Sequence, residues 1–455
     1  MLTYFVTKVR LRRALKCQSA NIWRHTRGHS TLPTNQDSDQ VRTLLQLFVD
    51  RHFISPGEIN VELFKRGTSC CYGPLGLKLR RNVLHQWWSS MTGSRAQVFG
   101  INTPSSSGYA VMDGWGHLRI TEPDDIKNIL NQKELSKEQL IHSVHMCLQN
   151  SALLRTNVFQ GALEHFVPSF ELVNRKLPFG LAETGRCFQR SKDGSAEVTQ
   201  ASLVWFCSAR TSSQWLDHWA RQRLKWWRKF AIAPSDFSSS DVPQEELEGP
   251  ASRGIKIFYN FPWGQELLEV LWSRGDCELL HIHKGMRSKL QFPQSRNGRK
   301  SVPHVVSITG NIDRGLLALL SNSLLLHKKE DAKQQLQQRK VLKLHPLLAP
   351  VKVALGIGRG ATTELRQVCE GLLQELKEAK ISVWPGYLET TSTPMEQLNS
   401  KYDEMGVLFT AVISDNTLES GLLQVRSRDT AIKETMHISD IKNFLCRYIS
   451  AADNM

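Results

Sequence analysis

From about residue 344 the chain alternates apolar runs of strand length with amphipathic runs of helix length. That alternation restricts the fold more than any other feature of the sequence. "VKVALGI" reads as a buried strand, "TTELRQVCEGLLQELKEAKI" as an amphipathic helix, "SVWP" as a second strand, "MEQLNSKYDEMG" as a second helix and "VLFTAVIS" as a third strand. Strands separated by helices on one chain order themselves as βαβαβ, which implies a small α/β unit whose sheet is covered by its helices. A hairpin through "GLLQVRSRDT" and a closing helix "ISDIKNFLCRYI" follow, so the sheet is mixed. The "GIGRG" turn after the first strand lacks the rest of a phosphate-loop fingerprint and carries no nucleotide assignment.

The preceding part of the chain, residues 40–330, reads as strands with intervening helices. Residues 40–53 have a short helical pattern. "CYGPLGLKLRRNVLHQWWSS" is a Gly-Pro turn leading into an amphipathic helix, with Leu77, Val83, Leu84, Trp87 and Trp88 as apolar contacts. "SKEQ" is a capping box with Ser136 as N-cap, and Leu140, Ile141, Val144, Cys147 and Leu148 then recur on one face. A second helical stretch reaches Pro178, with Pro168 expected to kink or break it. Residues 135–178 therefore read as a helical insertion whose apolar face packs on its own domain or on a second subunit. "GRCFQRS" and "TQASLVWF" read as the two strands of a hairpin. "QWLDHWARQRLKWWRKF" is a helix with Trp215, Trp219, Trp226 and Phe230 on a buried side and Arg221, Arg223, Lys225, Arg228 and Lys229 on a solvated one. The polar stretch "APSDFSSSDVPQEELEGPASRG" reads as a mobile loop, and residues 331–343 as a Lys- and Gln-rich linker to the C-terminal unit, 344–455.

Charge and cysteine usage narrow the class. The formal net charge is +15, and residues 1–30 carry seven Lys or Arg and no acid. That segment has the composition of a mitochondrial presequence. Without it the charge is about +8 (15 − 7), a surplus that favours a polyanionic partner. The nine cysteines are scattered and form no CxxC pair, so neither a disulfide framework nor a zinc site is expected. No run of roughly eighteen apolar residues is present, which excludes a spanning helix. The loop "SKLQFPQSRNGRKSV" places Lys289, Arg296, Arg299 and Lys300 around an Asn-Gly turn with no acid among them, and is the best local candidate for contacting phosphates.

Three stretches in a fixed order resemble class II aminoacyl-tRNA synthetases of the glycyl type. "YGPLGLKLRRNVLHQWW" is similar to motif 1, whose long helix builds the dimer interface. "ETGRCFQRS…EVTQASLVWF" is similar to motif 2, the ATP-holding hairpin. "GNIDRGLLALL" is similar to motif 3, with Arg314 in the place of its arginine. The resemblance implies an α+β class II synthetase-like domain built on an antiparallel sheet, with a helical insertion. It also implies that the C-terminal α/β unit is like an anticodon-binding domain.

The departures point away from synthesis. The motif 2 arginine and glutamate correspond to Gln189 and Ser191. Glutamine cannot give the charged, bidentate phosphate contact of arginine, and serine is too short to replace the glutamate. Losing one preorganised charge-stabilising group costs about two to three orders of magnitude in rate. Arg190 is one residue out of step, and a strand turns its side chain to the opposite face. No catalytic residue, metal or cofactor is therefore assigned; Gln189 and Ser191 mark a degenerate motif 2, and Arg314 a vestigial motif 3.

Across nearly its whole length the chain also resembles the accessory subunits of the mitochondrial DNA polymerase, through "LVWF", "QWLDHWARQRLKWWRKF", "YNFPWG", "RKVLKLHP" and "SVWPGYLET". That resemblance implies a homodimeric, non-catalytic processivity factor in the mitochondrial matrix nucleoid. Its partners would be the polymerase catalytic subunit and double-stranded DNA, and the 135–178 insertion would add a dimer contact. Arg426, Arg428 and Lys433, near an expected sheet edge, are the candidates for the polymerase contact. A mitochondrial glycyl-type synthetase and a catalytically dead tRNA-binding scaffold are the alternatives.

Overall fold

The computed structural model describes residues 35–55, 67, 71–93, 97–107, 118–132, 135–191, 194–293, 300–330, 336–359, 362–389 and 393–453. The expected presequence, 1–30, lies outside them. Along the chain come α1 (Asn35–Asp50), α2 (Pro74–Thr92), β1 (Val98–Gly100), β2 (Ser106–Ser107), β3 (Arg119–Ile120), α3 (Pro123–Leu130), α4 (Lys137–Asn150) and β4 (Ala152–Leu154). Then follow α5 (Phe159–Glu164), α6 (Phe166–Leu172), β5 (Phe179–Ser191), β6 (Gly194–Cys207), α7 (Ser212–Lys229), β7 (Phe237–Asp241), β8 (Arg253–Phe261) and β9 (Gly264–Gly275). The next stretch holds α8 (Cys277–Ile282), α9 (Arg287–Leu290), β10 (Phe292–Pro293), β11 (Lys300–Ser301), β12 (His304–Asn311) and α10 (Ile312–Ser323). After the β13 (Leu324–Glu330) and β14 (Leu336–Leu342) pair, the C-terminal unit contains β15 (Val353–Ile357), α11 (Thr362–Glu378), β16 (Val383–Trp384) and α12 (Met395–Glu404). It ends with β17 (Phe409–Ile413), α13 (Asp415–Ser420), β18 (Leu422–Ser427), β19 (Lys433–His437) and α14 (Ile441–Asp453). No helix among the described residues is long and apolar enough to cross a membrane.

A seven-stranded sheet in the order β1-β5-β6-β12-β9-β8-β7 forms the main body, antiparallel except for the β1–β5 pair. One of its faces is covered by α2, α7 and α10. The α2 helix opens on Gly73-Pro74, where proline's missing N–H costs nothing, and buries Leu75, Leu79, Val83, Trp87 and Met91. That stripe is shifted from the expected one: Leu77 is exposed, and Leu84 and Trp88 are half-buried. On α7 the buried set is Leu216, Trp219, Ala220, Arg223, Trp226 and Trp227, with Phe230 next to it and Trp215 only half-buried. Arg223 is not on a solvated face. Its Nε and Nη2 reach the buried Glu269 of β9 at 3.0 and 2.7 Å, and its guanidinium stacks 4.4 Å from the Trp226 ring. Each charge is expensive to bury alone, so the pair holds α7 to the sheet at one position.

The 135–178 segment divides in two. The α4 helix begins with the expected capping box, Ser136 and Gln139 exchanging bonds at 3.3 and 2.9 Å, but buries none of its residues; nor does α3. By contrast α5 and α6 drive Ala162, Leu163, Phe166 and Phe170 into a second core against Phe179, Leu181, Val204 and Phe206, on the other face of the large sheet. The chain breaks at His165 rather than at Pro168, which sits in the first turn of α6 where no backbone N–H is needed.

The C-terminal sheet has the order β16-β15-β17-β18-β19, parallel across β16, β15 and β17 and antiparallel from β17 to β19. Residues 336–342 of the expected linker form β14, paired along its length with β13. The stretch after it is packed in place. Leu342, Leu344, Leu348, Ala349 and Val351 join the cores of the two sheets into one cluster. Asn82 of α2 donates to the Leu348 carbonyl at 3.0 Å, and Arg51 meets Glu404 at 2.6 Å. Buried Lys352 donates to the carbonyls of Pro346 and Ala349.

His345 lies in this joint, edge-on to Phe230 at 5.2 Å, and the Leu347 N–H donates to its Nδ1 at 3.3 Å. Burial, helped by the charges of Lys229 and Lys352, pushes its pKa down to about 4. The unfolded chain, at about 6.5, takes up a proton that the folded one refuses, so stability is present above that value and is lost as the pH falls from about 6.5 towards 4. With allowance for partial solvent access the loss is on the order of 1–2 kcal/mol. Urea midpoints at pH 7 and pH 5 should show this loss in the natural protein and a smaller one in His345→Asn.

Candidate functional site

Strand alternation puts Glu183, Gly185, Cys187 and Gln189 of β5 on one face of the large sheet, opposite Ser202, Gln200, Val198 and Ala196 of β6. The face continues through Thr309 and Ser307 of β12, which pair with Ser202 and Val204. Its centre is polar yet buried: Glu183, Gln200, Ser202, Ser307 and Thr309 are all under a tenth exposed. A substrate-holding sheet could carry such groups, but here the chain covers them.

Arg155, from the segment between β4 and α5, donates to Glu183 Oε1 at 2.7 Å. The Thr103 N–H and hydroxyl donate to the same carboxylate at 2.9 and 2.7 Å. Val158 closes a small apolar cluster with Cys187 and Val198 beside Gln189. Burial there pushes the Cys187 thiol up to about 12, so it stays protonated and inert. Further along the face, Arg274 donates to Ser307 Oγ at 2.8 Å and to Glu278 at 3.0 Å, lies 3.5 Å from Glu248, and stacks 4.5 Å from the Phe159 ring. Burial raises the Glu248 carboxyl above its ordinary range. The segment expected to be a mobile loop is thereby anchored, with Val242, Leu247 and Ala251 packed on Val270 and Trp272.

The sequence-selected positions fall around this face unevenly. Gln189 is half-buried near the end of the hairpin, and the Ser191 side chain lies outside the described residues. Asn311, at the end of β12, pairs with Gln200, whereas Gln189 pairs with Ala196. Four residues of strand, about 13 Å, separate those two levels. Arg314 lies in the first turn of α10 just beyond, its side chain 11% exposed, with Nη1 3.3 Å from the Leu267 carbonyl and 3.5 Å from Glu266, and Gly67 lies against its side chain. Its neighbour Asp313 accepts from Tyr72 at 2.7 Å and from the Thr199 N–H at 2.6 Å, tying α10 to β6 and to the chain entering α2. Burial raises the Asp313 carboxyl, against the pull of those donors and of Arg80. The three motif-like stretches therefore meet in space, and at Asp313 they meet through structural bonds.

Among the basic candidates, Lys289 on α9 and Lys300 on β11 are exposed, and Arg296 and Arg299 lie outside the described residues. Lys284 and Arg287, which sequence reading passed over, are exposed on the same stretch, and no acid occurs between Leu279 and Pro293 to offset them. Arg426 and Arg428 correct the sequence reading, because neither is a surface group. Arg426 makes two bonds of 2.9 Å to buried Asp403. Arg428 donates to the carbonyls of Leu342, Gly406 and Leu344 at 3.2, 3.1 and 3.0 Å. Lys433, on the edge strand β19, is exposed. Beyond β19, Asp440 just before α14 and Asn443, Phe444, Arg447 and Tyr448 on it line a surface hollow of about 480 Å³, its two aromatic rings set edge-on to Phe409.

Residues 349–447 match a family described as "Anticodon binding domain". Over 424 residues, 90% of this chain and 91% of the relative, the sequence is 49% identical to the DNA polymerase subunit gamma-2 of Mus musculus. It is 45% identical to the protein of Xenopus laevis named "DNA polymerase subunit gamma-2, mitochondrial", covering 95% of this chain and 92% of that one. A more distant likeness, 24% over 90% of the chain and 98% of the relative, is to a glycine–tRNA ligase of Streptomyces coelicolor. An extended resemblance to glycyl-type synthetases and a stronger one to polymerase accessory subunits thus coexist in one sequence, and by identity and coverage the chain belongs to the DNA polymerase subunit gamma-2 family.

Proposed function

We propose that this chain is a non-catalytic accessory subunit, acting in the mitochondrial matrix, that binds the catalytic subunit of the mitochondrial DNA polymerase together with duplex DNA and so prolongs each synthesis event. The family membership carries the reading, since its members are named as subunits of a DNA polymerase. The internal covering of the sheet face, with Gln189 and Ser191 in place of a charged pair, supports a class II synthetase-like body that has lost amino-acid activation. A processivity factor needs no bond chemistry. It slows dissociation, the step through which affinity differences mostly act, by adding a second contact to a complex that already has one.

Three surfaces would serve this role. The α3–α4 pair exposes Leu130, Ile141 and Met146, with Ile120 of β3 exposed just before it, and buries nothing of its own, which suits the contact with a second copy in a homodimer. Lys284, Arg287, Lys289 and Lys300, together with Arg296 and Arg299, would meet DNA phosphates without reading sequence. The C-terminal unit would meet the polymerase through the exposed side of β19 at Lys433 and the neighbouring aromatic hollow, with Arg426 and Arg428 acting as internal braces. A second reading, a tRNA-binding scaffold, draws on the anticodon-binding match at 349–447. It requires tighter binding to tRNA than to duplex DNA.

Primer extension by the catalytic subunit, with a trap that allows one binding event, should give products several-fold longer when this protein is present. Unchanged product length, with the complex shown to have formed, would overturn the proposal. For the DNA contact, changing Lys289, Arg296, Arg299 and Lys300 to Gln should weaken binding to random duplex. The slope of log affinity against log salt should fall in magnitude by about 3–4. A variant with the natural slope would remove that loop from the DNA-binding surface.

A further inference from the structure

Arg155 belongs to none of the motifs that the sequence singles out, yet it is the group around which the buried sheet face closes. Its backbone is fixed on both sides: the N–H donates to the Ser105 carbonyl at 3.0 Å, and its own carbonyl accepts from the Phe188 N–H at 2.9 Å. From there the side chain crosses β5. Nε donates to the Arg186 carbonyl at 2.8 Å, while Nη1 reaches Glu183 Oε1 at 2.7 Å and both the carbonyl and the hydroxyl of Thr103 at 3.0 Å. Nη2 lies where a Cβ would stand at Gly185, so a side chain there would expel the guanidinium. Glu183 is 1% exposed and the Arg155 side chain 14%.

The walls of this hollow therefore present a carboxylate, a hydroxyl and two carbonyls, all acceptors. They are reached by two different nitrogens of one planar group. That is the donor pattern of a guanidinium, and an ammonium, which offers its donors from a single nitrogen, cannot reproduce it. A buried carboxylate left without its partner is costly, so the hollow has a strong preference for being filled by a cation.

We propose that Arg155 is a built-in ligand: the chain closes its own sheet-face pocket with a guanidinium, and truncating that side chain opens a site that binds free alkylguanidinium cations. Only the covalent tether separates the occupant from a small molecule. The natural protein takes no such ligand because the place is filled, and the selectivity of the emptied place follows from the acceptor geometry rather than from charge alone.

The test uses the full chain carrying Arg155→Ala, with ethylguanidinium, the piece removed, as probe. The thermal midpoint should fall on truncation and recover by several degrees at millimolar ethylguanidinium, through ligand binding to the folded state only. Methylammonium at the same concentration should give no recovery. The natural protein should not respond to either cation, and adding Glu183→Gln to the truncated chain should abolish the response. Equal recovery with both cations, or none in a folded Arg155→Ala protein, would overturn the proposal. If the variant does not fold alone, refolding it from denaturant keeps the question open to decision. Native near-UV circular dichroism regained with ethylguanidinium and not with methylammonium supports the built-in ligand, and failure with both contradicts it.

Discussion

A sheet face with polar side chains at its buried centre has to satisfy them from within or keep the face open to a ligand. Here Glu183, Gln200, Ser202, Ser307 and Thr309 occupy that centre, and two arginines, Arg155 and Arg274, carry most of the burden. Much else follows from that choice. The segment leading into α5 must run across β5 to deliver Arg155, which places Val158 over Cys187 and Val198. Arg274 has to hold Glu248 and Glu278 as well as Ser307, which draws the polar 242–251 segment down onto Val270 and Trp272. The centre of the face is thereby covered from within the chain, while Gln189, nearer the hairpin end, stays half-buried.

Those surfaces are carried on a body with little freedom at its joint. Asp403 of α12 accepts from Arg339 on β14 and from Arg426 on β18, so one buried carboxylate ties the hairpin to the C-terminal sheet. Arg428 and Lys352 pin the 342–349 stretch by its carbonyls, and one apolar cluster runs through both sheets. On the proposed function, holding two partners at once gains from such stiffness, because effective concentration depends on the geometry that separates the two contacts.

Much of this architecture is legible in the sequence where period and local chemistry decide it. The βαβαβ order of the C-terminal unit, the Ser136–Gln139 capping box and the long hairpin of β5 and β6 all stand in the structure as the residues suggest. What escapes is set by distant partners. Arg426 and Arg428 look like the solvated side of an edge strand, but apart from Asp429 beside Arg428 their acceptors lie 22 to 86 residues away in the chain. Arg223 shares a helix with solvated cations and is singled out only by Glu269 on another strand. Residues 336–342 of the stretch expected as a linker pair with β13 as a hairpin, because each strand offers its partner a leucine-bearing end and a mostly polar one, a match that the Lys- and Gln-rich composition alone hides. On α2 the apolar residues are dense enough to support two stripes, and only packing selects Leu75, Leu79, Val83, Trp87 and Met91. At the site, Gln189 and Ser191 were visible through a family resemblance. Arg155 and Thr103 carry no such signal, because a structural guanidinium pair has no sequence spacing of its own.

The most direct measurement is ATP–pyrophosphate exchange, with the amino acids supplied one at a time, in the natural protein and in the double variant Gln189→Arg/Ser191→Glu. On the proposed reading, a sheet face whose buried centre is filled by its own side chains leaves no seat for the nucleotide, so neither protein should exchange label above background, even with the charged pair restored. Exchange by the natural protein would show that the face opens to substrate, and would contradict the claim that this subunit works through its surfaces alone.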